Sequence, residues 1–411
     1  MTRKRIFVVG GGFGGISAAL ALSGDPALLS RGYEIVLVDR RRHHLFTPAL
    51  YELAAIPREV AGDRELISAA LIPIREIVRG RPIRFINDEL VGLDRKRRII
   101  ALAAEGALSY EYLILAPGAE INYFNIPGLK EYALPLKTGD DAALLRNKIE
   151  AQVKENPSPK ILICGAGSSG VELAAELVNF ICALNKNNHR RATCNPDLLL
   201  IEAAEEILPG LDKWAIRKAR ERLRSLGVGI KTGSPIIAAS KNYVTLRSGE
   251  RLAYDILIWT GGVKGPRILR RLGLQLSPRG TLAIDAGLRV QRSRRIFAVG
   301  DSAWFTRRQI RTPLPWNVPV AEAEGRYAAL QISRAVRGKK LRRFRPMRRY
   351  PYVIAVGRKY ALADLIIVRA SGFIGWCFKQ AVELRYFLFL LPWPRAIWFW
   401  WRNVRMYRAN D

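Results

Sequence analysis

Acidic residues, cysteines and long apolar runs are all scarce in this 411-residue chain, and each shortage closes off a class of protein. Four cysteines, Cys164, Cys182, Cys194 and Cys377, show no CxxC spacing and are too few to brace a chain of this length, so a reducing, cytosolic setting is expected. None precedes Cys164, which excludes dithiol chemistry in the first part of the chain, and no metal site is expected. The uncharged stretch at residues 386–394 is nine residues long, against the roughly 20 that a spanning helix needs. The first five residues lead straight into a short apolar strand and then glycines, with no signal-peptide core. Acid is outnumbered: 67 Lys plus Arg against 36 Asp plus Glu leave a formal charge of +31, a field that attracts nucleic acid or anionic lipid. Nearly half of that excess sits from Arg337 onward, where 17 basic residues meet only Asp364, Glu383 and Asp411.

What is present is a large apolar interior, 49% of the residues, in a length that suits two or three domains. Residues 6–9 form a short buried strand, residues 16–22 a helix, and residues 33–38 a returning strand. The same strand–helix–strand order recurs about 155 residues later: strand at 161–164, helix at 170–184, strand at 198–201, with a polar surface loop at 186–196. Two nucleotide sites are therefore expected. Strands at 112–115, ending in Ala116-Pro117-Gly118, and at 256–259, ending in Thr260-Gly261-Gly262, read as crossovers by which the chain leaves one nucleotide domain and returns to it.

In the first unit Gly10, Gly12 and Gly15 spell GxGxxG around Phe13 and Gly14, with Asp39 and then Arg40 at the end of the next strand. Such glycines let the backbone turn tightly against a pyrophosphate, helix-end N–H groups meet its charge, and the acid takes a ribose hydroxyl. Gly165, Gly167 and Gly170 repeat the pattern around Ser168 and Ser169, and Glu202 closes the returning strand. No Arg or Lys follows Glu202 until Lys213, so nothing nearby holds a 2′-phosphate and NADH is favoured over NADPH. A third segment, residues 295–301, is a strand ending in Gly300-Asp301, which suits a flavin site because Asp301 can accept from a ribityl chain; taken alone it is equally a strand end with a capping acid.

These three motifs in this order resemble the two-dinucleotide-domain flavoproteins of the glutathione-reductase fold, and within that group the type II NADH:quinone oxidoreductases, over nearly the whole chain. Residues 44–52, His-Leu-Phe-Thr-Pro-Ala-Leu-Tyr-Glu, resemble that family's segment after the first nucleotide turn, where a disulfide reductase would carry its cysteines. Residues 207–212 and 258–263 also match. The resemblance implies FAD on the Gly10 unit, completed by Asp301, and NADH on the Gly165 unit, with the chemistry carried by the stacked cofactors. It places Glu172 close to nicotinamide and flavin, ordering the rings or assisting a proton movement; as a first-turn acid Glu172 also suits the helix dipole.

The acceptor end departs from the family. Where a Gln-Gln-Gly-like triplet is expected, residues 319–325 read Pro-Val-Ala-Glu-Ala-Glu-Gly, so Ala323 and Glu324 replace both glutamines. Val320, Ala321 and Glu324 are still expected at the flavin's second face, and the stretch also reads as a helix start with Ala328 and Ala329 packed inward. Further on, Phe373, Trp376, Cys377, Ala381, Leu384, Phe387, Leu388 and Leu391 form an apolar helical stripe with Lys379, Gln380 and Glu383 on the other side. Tryptophans at 398, 400 and 401 lie between Arg395 and Arg402, which suits a headgroup boundary. The alternatives are packing on the domain or a homodimer interface. By resemblance Lys379 falls near a quinone mouth; it is equally a surface partner of Glu383 at i, i+4.

The expected architecture is thus α/β, two Rossmann-like domains plus a C-terminal amphipathic membrane-associating region: residues 1–125 and 263–338 for FAD, 126–262 for NADH, and 339–411 for the membrane. The expected activity is transfer from NADH through FAD to a quinone, without proton pumping, at the cytoplasmic face of an anionic membrane. Two rivals stand beside it: a soluble NAD(P)H-dependent reductase serving an acidic protein such as ferredoxin, and a nucleotide-sensing or nucleic-acid-binding flavoprotein. The tail's aromatic stripe suits lipid better than a phosphate backbone, so no nucleic acid is expected. A sulfide:quinone oxidoreductase would need cysteines beside the flavin, and Cys182 and Cys194 flank an outer loop instead.

Overall fold

The computed structural model describes residues 4–187, 196–305 and 314–407. Contacts divide the chain into two compact units that interleave along the sequence: Met1–His44, Ile72–Glu120 and Val263–Tyr350 form the first, and Leu45–Leu71, Ile121–Gly262 and Pro351–Asp411 the second. Residues 45–71 and 351–411 thus cluster with the middle of the chain rather than following four consecutive spans.

The first unit is built on a five-stranded parallel sheet in the order Ile296–Ala298, Tyr112–Leu115, Lys4–Val9, Tyr33–Val38, Ile83–Ile86. Its strands read as near-continuous apolar runs because both faces are covered. Alternation along the central strand divides the core: Ile6 and Val8 pack on one side with Ala18, Leu22, Ala328 and Ile332, while Phe7 and Val9 pack on the other with Ile100, Leu102 and Leu282. Helices Phe13–Ser23 and Val318–Val336 cover the first side and meet closely, since a Cβ on Gly325 would lie 2.2 Å from the Gly14 carbonyl oxygen. Ala328 and Ala329 do pack inward.

The second unit repeats the plan with parallel strands in the order Leu134–Pro135, Ile256–Trp259, Ile161–Cys164, Leu198–Ile201, Gly229–Lys231. Helix Gly139–Glu155 starts at a capping box, Thr138 with Asp141, and Asp212 caps Lys213–Ser225. Helix Ser168–Asn187 runs into the segment expected as a loop; residues 188–195 of that loop, with Cys194, lie outside the described residues. An antiparallel sheet, Tyr352–Ala355, Ala361–Asp364 and Arg369–Gly372, leads into helices Phe373–Leu390 and Trp393–Tyr407.

The helix Phe373–Leu390 corrects the surface reading of its polar side. Lys379, Gln380 and Glu383 are buried, whereas Phe373, Ile374, Cys377 and Leu388 are exposed. The polar side faces inward because the unit supplies partners for it there, Glu52 above all. Of the expected apolar stripe only Phe387 and Leu391 are buried, with Phe387 against Phe46 and Phe399.

Two candidate dinucleotide sites and a buried charge cluster

At the first turn the strand Lys4–Val9 ends in Gly10, whose φ of +115° and whose absent Cβ, which would lie 2.0 Å from the Ala116 carbonyl oxygen, admit only glycine. Gly15 lets the helix sit on the turn: its Cβ would be 1.8 Å from the Gly10 oxygen. Gly12, by contrast, has no protein atom within 4 Å of the Cβ position, so the turn is open there. The helix that begins at Phe13 has no side-chain cap and no first-turn acid, so its positive end suits an anion. Asp39 accepts from the N–H groups of Gly11 and Arg41. Arg40 is exposed beside Glu89 at 3.5 Å, and Gly118 turns with a φ of +75°. His44 was missed as a structural element of this turn: fully buried, its Nδ1 donates to the Gly11 carbonyl at 2.9 Å, and burial pushes its pKa down to about 4.

On the same unit Gly300 and Asp301 enter a short 3-10 turn, and the helix Val318–Val336 begins close by, its N-cap Asn317 accepting from Val320 N–H. Asp301, Trp316, Asn317, Val320, Ala321 and Glu324 line a shallow depression. The Gly300 N–H donates to Glu324 at 2.7 Å. Burial pushes the Glu324 carboxyl up to about 8; the Gly300 bond opposes that rise and Asp301 adds to it. A folded-state pKa above the ordinary 4.5 means that this group's contribution to stability is intact below pH 4.5 and is lost as pH rises toward 8. Glu324→Gln is therefore expected to leave stability unchanged at pH 4.5 and to add up to roughly 4 kcal/mol by pH 8, as read by urea denaturation across that range.

The second turn copies the first bond for bond. Gly10 N–H donates to Val38 O at 2.8 Å and Gly165 N–H to Ile201 O at 2.8 Å; Ile16 N–H reaches Gly12 O at 2.9 Å and Val171 N–H reaches Gly167 O at 3.0 Å. A Gly170 Cβ would lie 1.9 Å from the Gly165 oxygen, and Gly167, like Gly12, is open. Glu202 accepts from Ala166 N–H at 2.6 Å and from Ala204 N–H at 2.9 Å, as Asp39 does from its own turn. Thr260 donates to the Gly165 oxygen at 2.8 Å, Gly261 passes under the Trp259 ring, and Gly262 follows beside Phe124. Ser168 and Ser169 stand exposed at the start of the helix.

Also in the second unit, Lys379 Nζ lies 2.8 Å from Glu52 Oε1 and 2.8 Å from Glu383 Oε1, all three side chains nearly excluded from solvent. Burial works against the lysine's charge, but Glu383 and Glu52 outweigh it and keep the ammonium protonated. Burial pushes Glu52 up to about 8 although Lys379 pulls it down. Glu172, accepting from Ala355 N–H at 3.3 Å, is also held well above the ordinary carboxylate range by burial. The rings of Tyr51 and Tyr407 flank the ammonium, and the Tyr51 and Tyr407 hydroxyls, Glu52 Oε2 and Gln380 Oε1 find no hydrogen-bond partner among the described residues. The structure thus gathers Glu172 and Lys379 in one unit and leaves Glu324 in the other. Glu52, Tyr51 and Tyr407 were not singled out beforehand; the signal for Glu52 was its place in the segment 44–52.

Residues 4–325, well over half of the chain, match the pyridine nucleotide-disulphide oxidoreductase family. The chain belongs to that family. This oxidoreductase is 31% identical over 312 residues to the demethylphylloquinone reductase of Synechocystis, covering 73% of this chain and 72% of that protein. It is 26% identical to the type II NADH:quinone oxidoreductase of Mycobacterium tuberculosis over 94% of this chain and 85% of the relative. In fold it is similar to NDH2 of Plasmodium falciparum, solved with NADH, at a TM-score of 0.80 and 19% identity over 98% of this chain and 97% of that one. The sulfide:quinone oxidoreductase of Aquifex aeolicus has a TM-score of 0.77 at 19% identity, over 94% of this chain and 90% of that one. All four cysteines of the present oxidoreductase fall in segments of the second unit, so the first unit has no thiol with which to perform the disulphide chemistry of the family name.

Proposed function

We propose that the protein is a type II NADH:quinone oxidoreductase, taking NADH on the second unit and FAD on the first and delivering two electrons to a membrane quinone without proton pumping. The observation that carries this reading is the pair of matching glycine turns, each open at its middle glycine and each closed by a strand-end carboxylate. They fit dinucleotides: an uncapped helix end at Phe13 for pyrophosphate, Asp39 or Glu202 for ribose, and Ala116, Gly118, Gly300 and Asp301 around the first turn for the remainder of FAD. The relatives named for quinone reduction support the acceptor.

When bound, the flavin would accept a hydride from NADH and pass two electrons on. The protein's own part is placement and proton handling. Gly165, Gly167 and Gly170 would seat the nicotinamide dinucleotide with Thr260, Gly261 and Gly262 beside them. Val320 and Ala321 would line the flavin's second face, with Glu324 holding a proton at its carboxyl near neutral pH. Glu172, its carboxyl pushed up by burial, would order the rings, and Lys379 would keep a positive charge near the acceptor.

No helix among the described residues is long and apolar enough to cross a membrane. The exposed Phe373, Ile374 and Leu388 on one C-terminal helix, and Trp393, Ile397, Trp398 and Trp401 on the other, fit a surface that lies in the interface of a membrane, here its cytoplasmic face. Arg402 over Trp398 and Arg405 over Trp401 add the cations that such a boundary favours.

The test is anaerobic reduction of the bound flavin by NADH followed by quinone or ferredoxin. Reoxidation by quinone is expected; reoxidation by ferredoxin alone would refute the proposal. Glu202→Gln is expected to raise the KM for NADH about ten-fold through a weakened charge-assisted bond to ribose, with the KM for NADPH little changed.

A further inference from the structure

Residues 339–350 form no helix or strand, yet their backbone is held firmly against the first unit. The buried Gln331 side chain donates to Arg342 O at 2.9 Å and accepts from Arg342 N–H at 3.0 Å. Phe344 N–H donates to Ala286 O at 2.6 Å, and the Phe344 ring packs on Phe305 and Tyr327. With Phe344 and Tyr350 turned inward, Lys339, Lys340, Arg342, Arg343 and Arg345 point to solvent, and none of the five has a carboxylate partner among the described residues. More cations adjoin them: Arg334 donates to Lys340 O at 2.9 Å, and Arg31 donates to Val336 O at 2.6 Å. Of the acids nearby, Asp25 is already taken by Arg337 at 2.6 Å and by Ser333, and Asp285 by Arg289 at 2.6 Å.

We propose that this strap is a binding surface for the anionic headgroups of a lipid bilayer. The inference rests on the membrane reading above and assigns its electrostatic part to the first unit, separate from the apolar helices of the second. A backbone already fixed by Gln331 and Phe344 loses little freedom on binding, so the array is preorganised. Base recognition is not built in, because both aromatic rings of the strap are buried and none is left to stack on a nucleobase. The exposed Met347, 48% accessible between Arg345 and Arg348, gives the array an apolar contact of the kind a headgroup boundary receives.

The experiment measures binding of the full-length holoprotein to phosphatidylcholine vesicles with and without 30% phosphatidylserine. Removing three cations in R342Q/R343Q/R345Q is expected to weaken binding to the anionic vesicles roughly 10- to 100-fold. Binding to neutral vesicles, the melting temperature and turnover with a water-soluble quinone should stay unchanged. The charge-keeping R342K/R343K/R345K should bind as the wild type does. Undiminished binding of the glutamine variant to anionic vesicles would overturn the proposal. So would duplex DNA, at equal phosphate concentration, displacing the wild type from those vesicles. Absence of quinone turnover in the wild type would count against the enzymatic reading instead, and absence of binding to neutral vesicles against the apolar helices, so the failures are distinguishable.

Discussion

Lys379→Met should lower the unfolding free energy at pH 7 by about 3–5 kcal/mol, the cost of stranding buried carboxylates without their cation. In the native protein the ammonium is 2.8 Å from both Glu52 and Glu383, and the aliphatic replacement keeps the volume while removing the charge. The loss should depend on pH with a definite sign. Without the lysine, the already raised carboxyl of Glu52 rises further. A raised folded-state pKa leaves stability intact below pH 4.5 and erodes it as pH climbs toward 8, so the deficit should be smallest near pH 4.5 and widen at neutral and alkaline pH. E52Q/K379M/E383Q should recover most of the loss, because a neutral cluster of the same shape has no charge left to desolvate. Urea denaturation of wild type, single and triple variants at pH 4.5 and 8 measures all of this; equal deficits at both pH values would contradict it.

Gly15→Ala should cost the protein its flavin, with at least a ten-fold fall in the ratio of flavin to protein absorbance after purification. The added methyl would lie 1.8 Å from the Gly10 carbonyl oxygen, backbone that cannot move without opening the turn, and overpacking of this kind is destabilising. Gly12→Ala separates binding from folding. Its Cβ meets no protein atom within 4 Å, so the apoprotein should melt as the wild type does while its flavin affinity falls. Both measurements need only absorbance spectra and thermal melts.

Much of this was readable beforehand because it is local. The strands Tyr112–Leu115, Ile161–Cys164, Leu198–Ile201 and Ile256–Trp259 carry uninterrupted apolar runs, as short strands covered on both faces do, and Tyr33–Val38 is broken only by Glu34. Both glycine turns were legible for the same reason: a tight turn before a helix leaves its mark within six residues. The orientation of Phe373–Leu390 was not legible. Periodicity shows that a helix has two unlike sides and says nothing about which one faces the core. That is decided by Glu52, 327 residues from Lys379 in sequence, and no pattern within the helix announces so distant a partner. His44 escaped for a similar reason, since its role lies in a bond to the Gly11 carbonyl 33 residues away.

The interleaving of the two units governs how the protein can be made. The strand Lys4–Val9 leaves the ribosome early, yet its sheet lacks the strand Ile296–Ala298 until nearly 300 residues have been synthesised, roughly 15–60 s at typical elongation rates. The second unit waits longer still, because Glu52 meets no cation until Lys379 emerges. Through that interval the nascent chain carries an unpaired sheet edge and an unneutralised acid meant for its interior. Its birth is a long vulnerability to wrong partners, and the order in which segments appear, as much as their affinity for one another, decides how much of it reaches the native state.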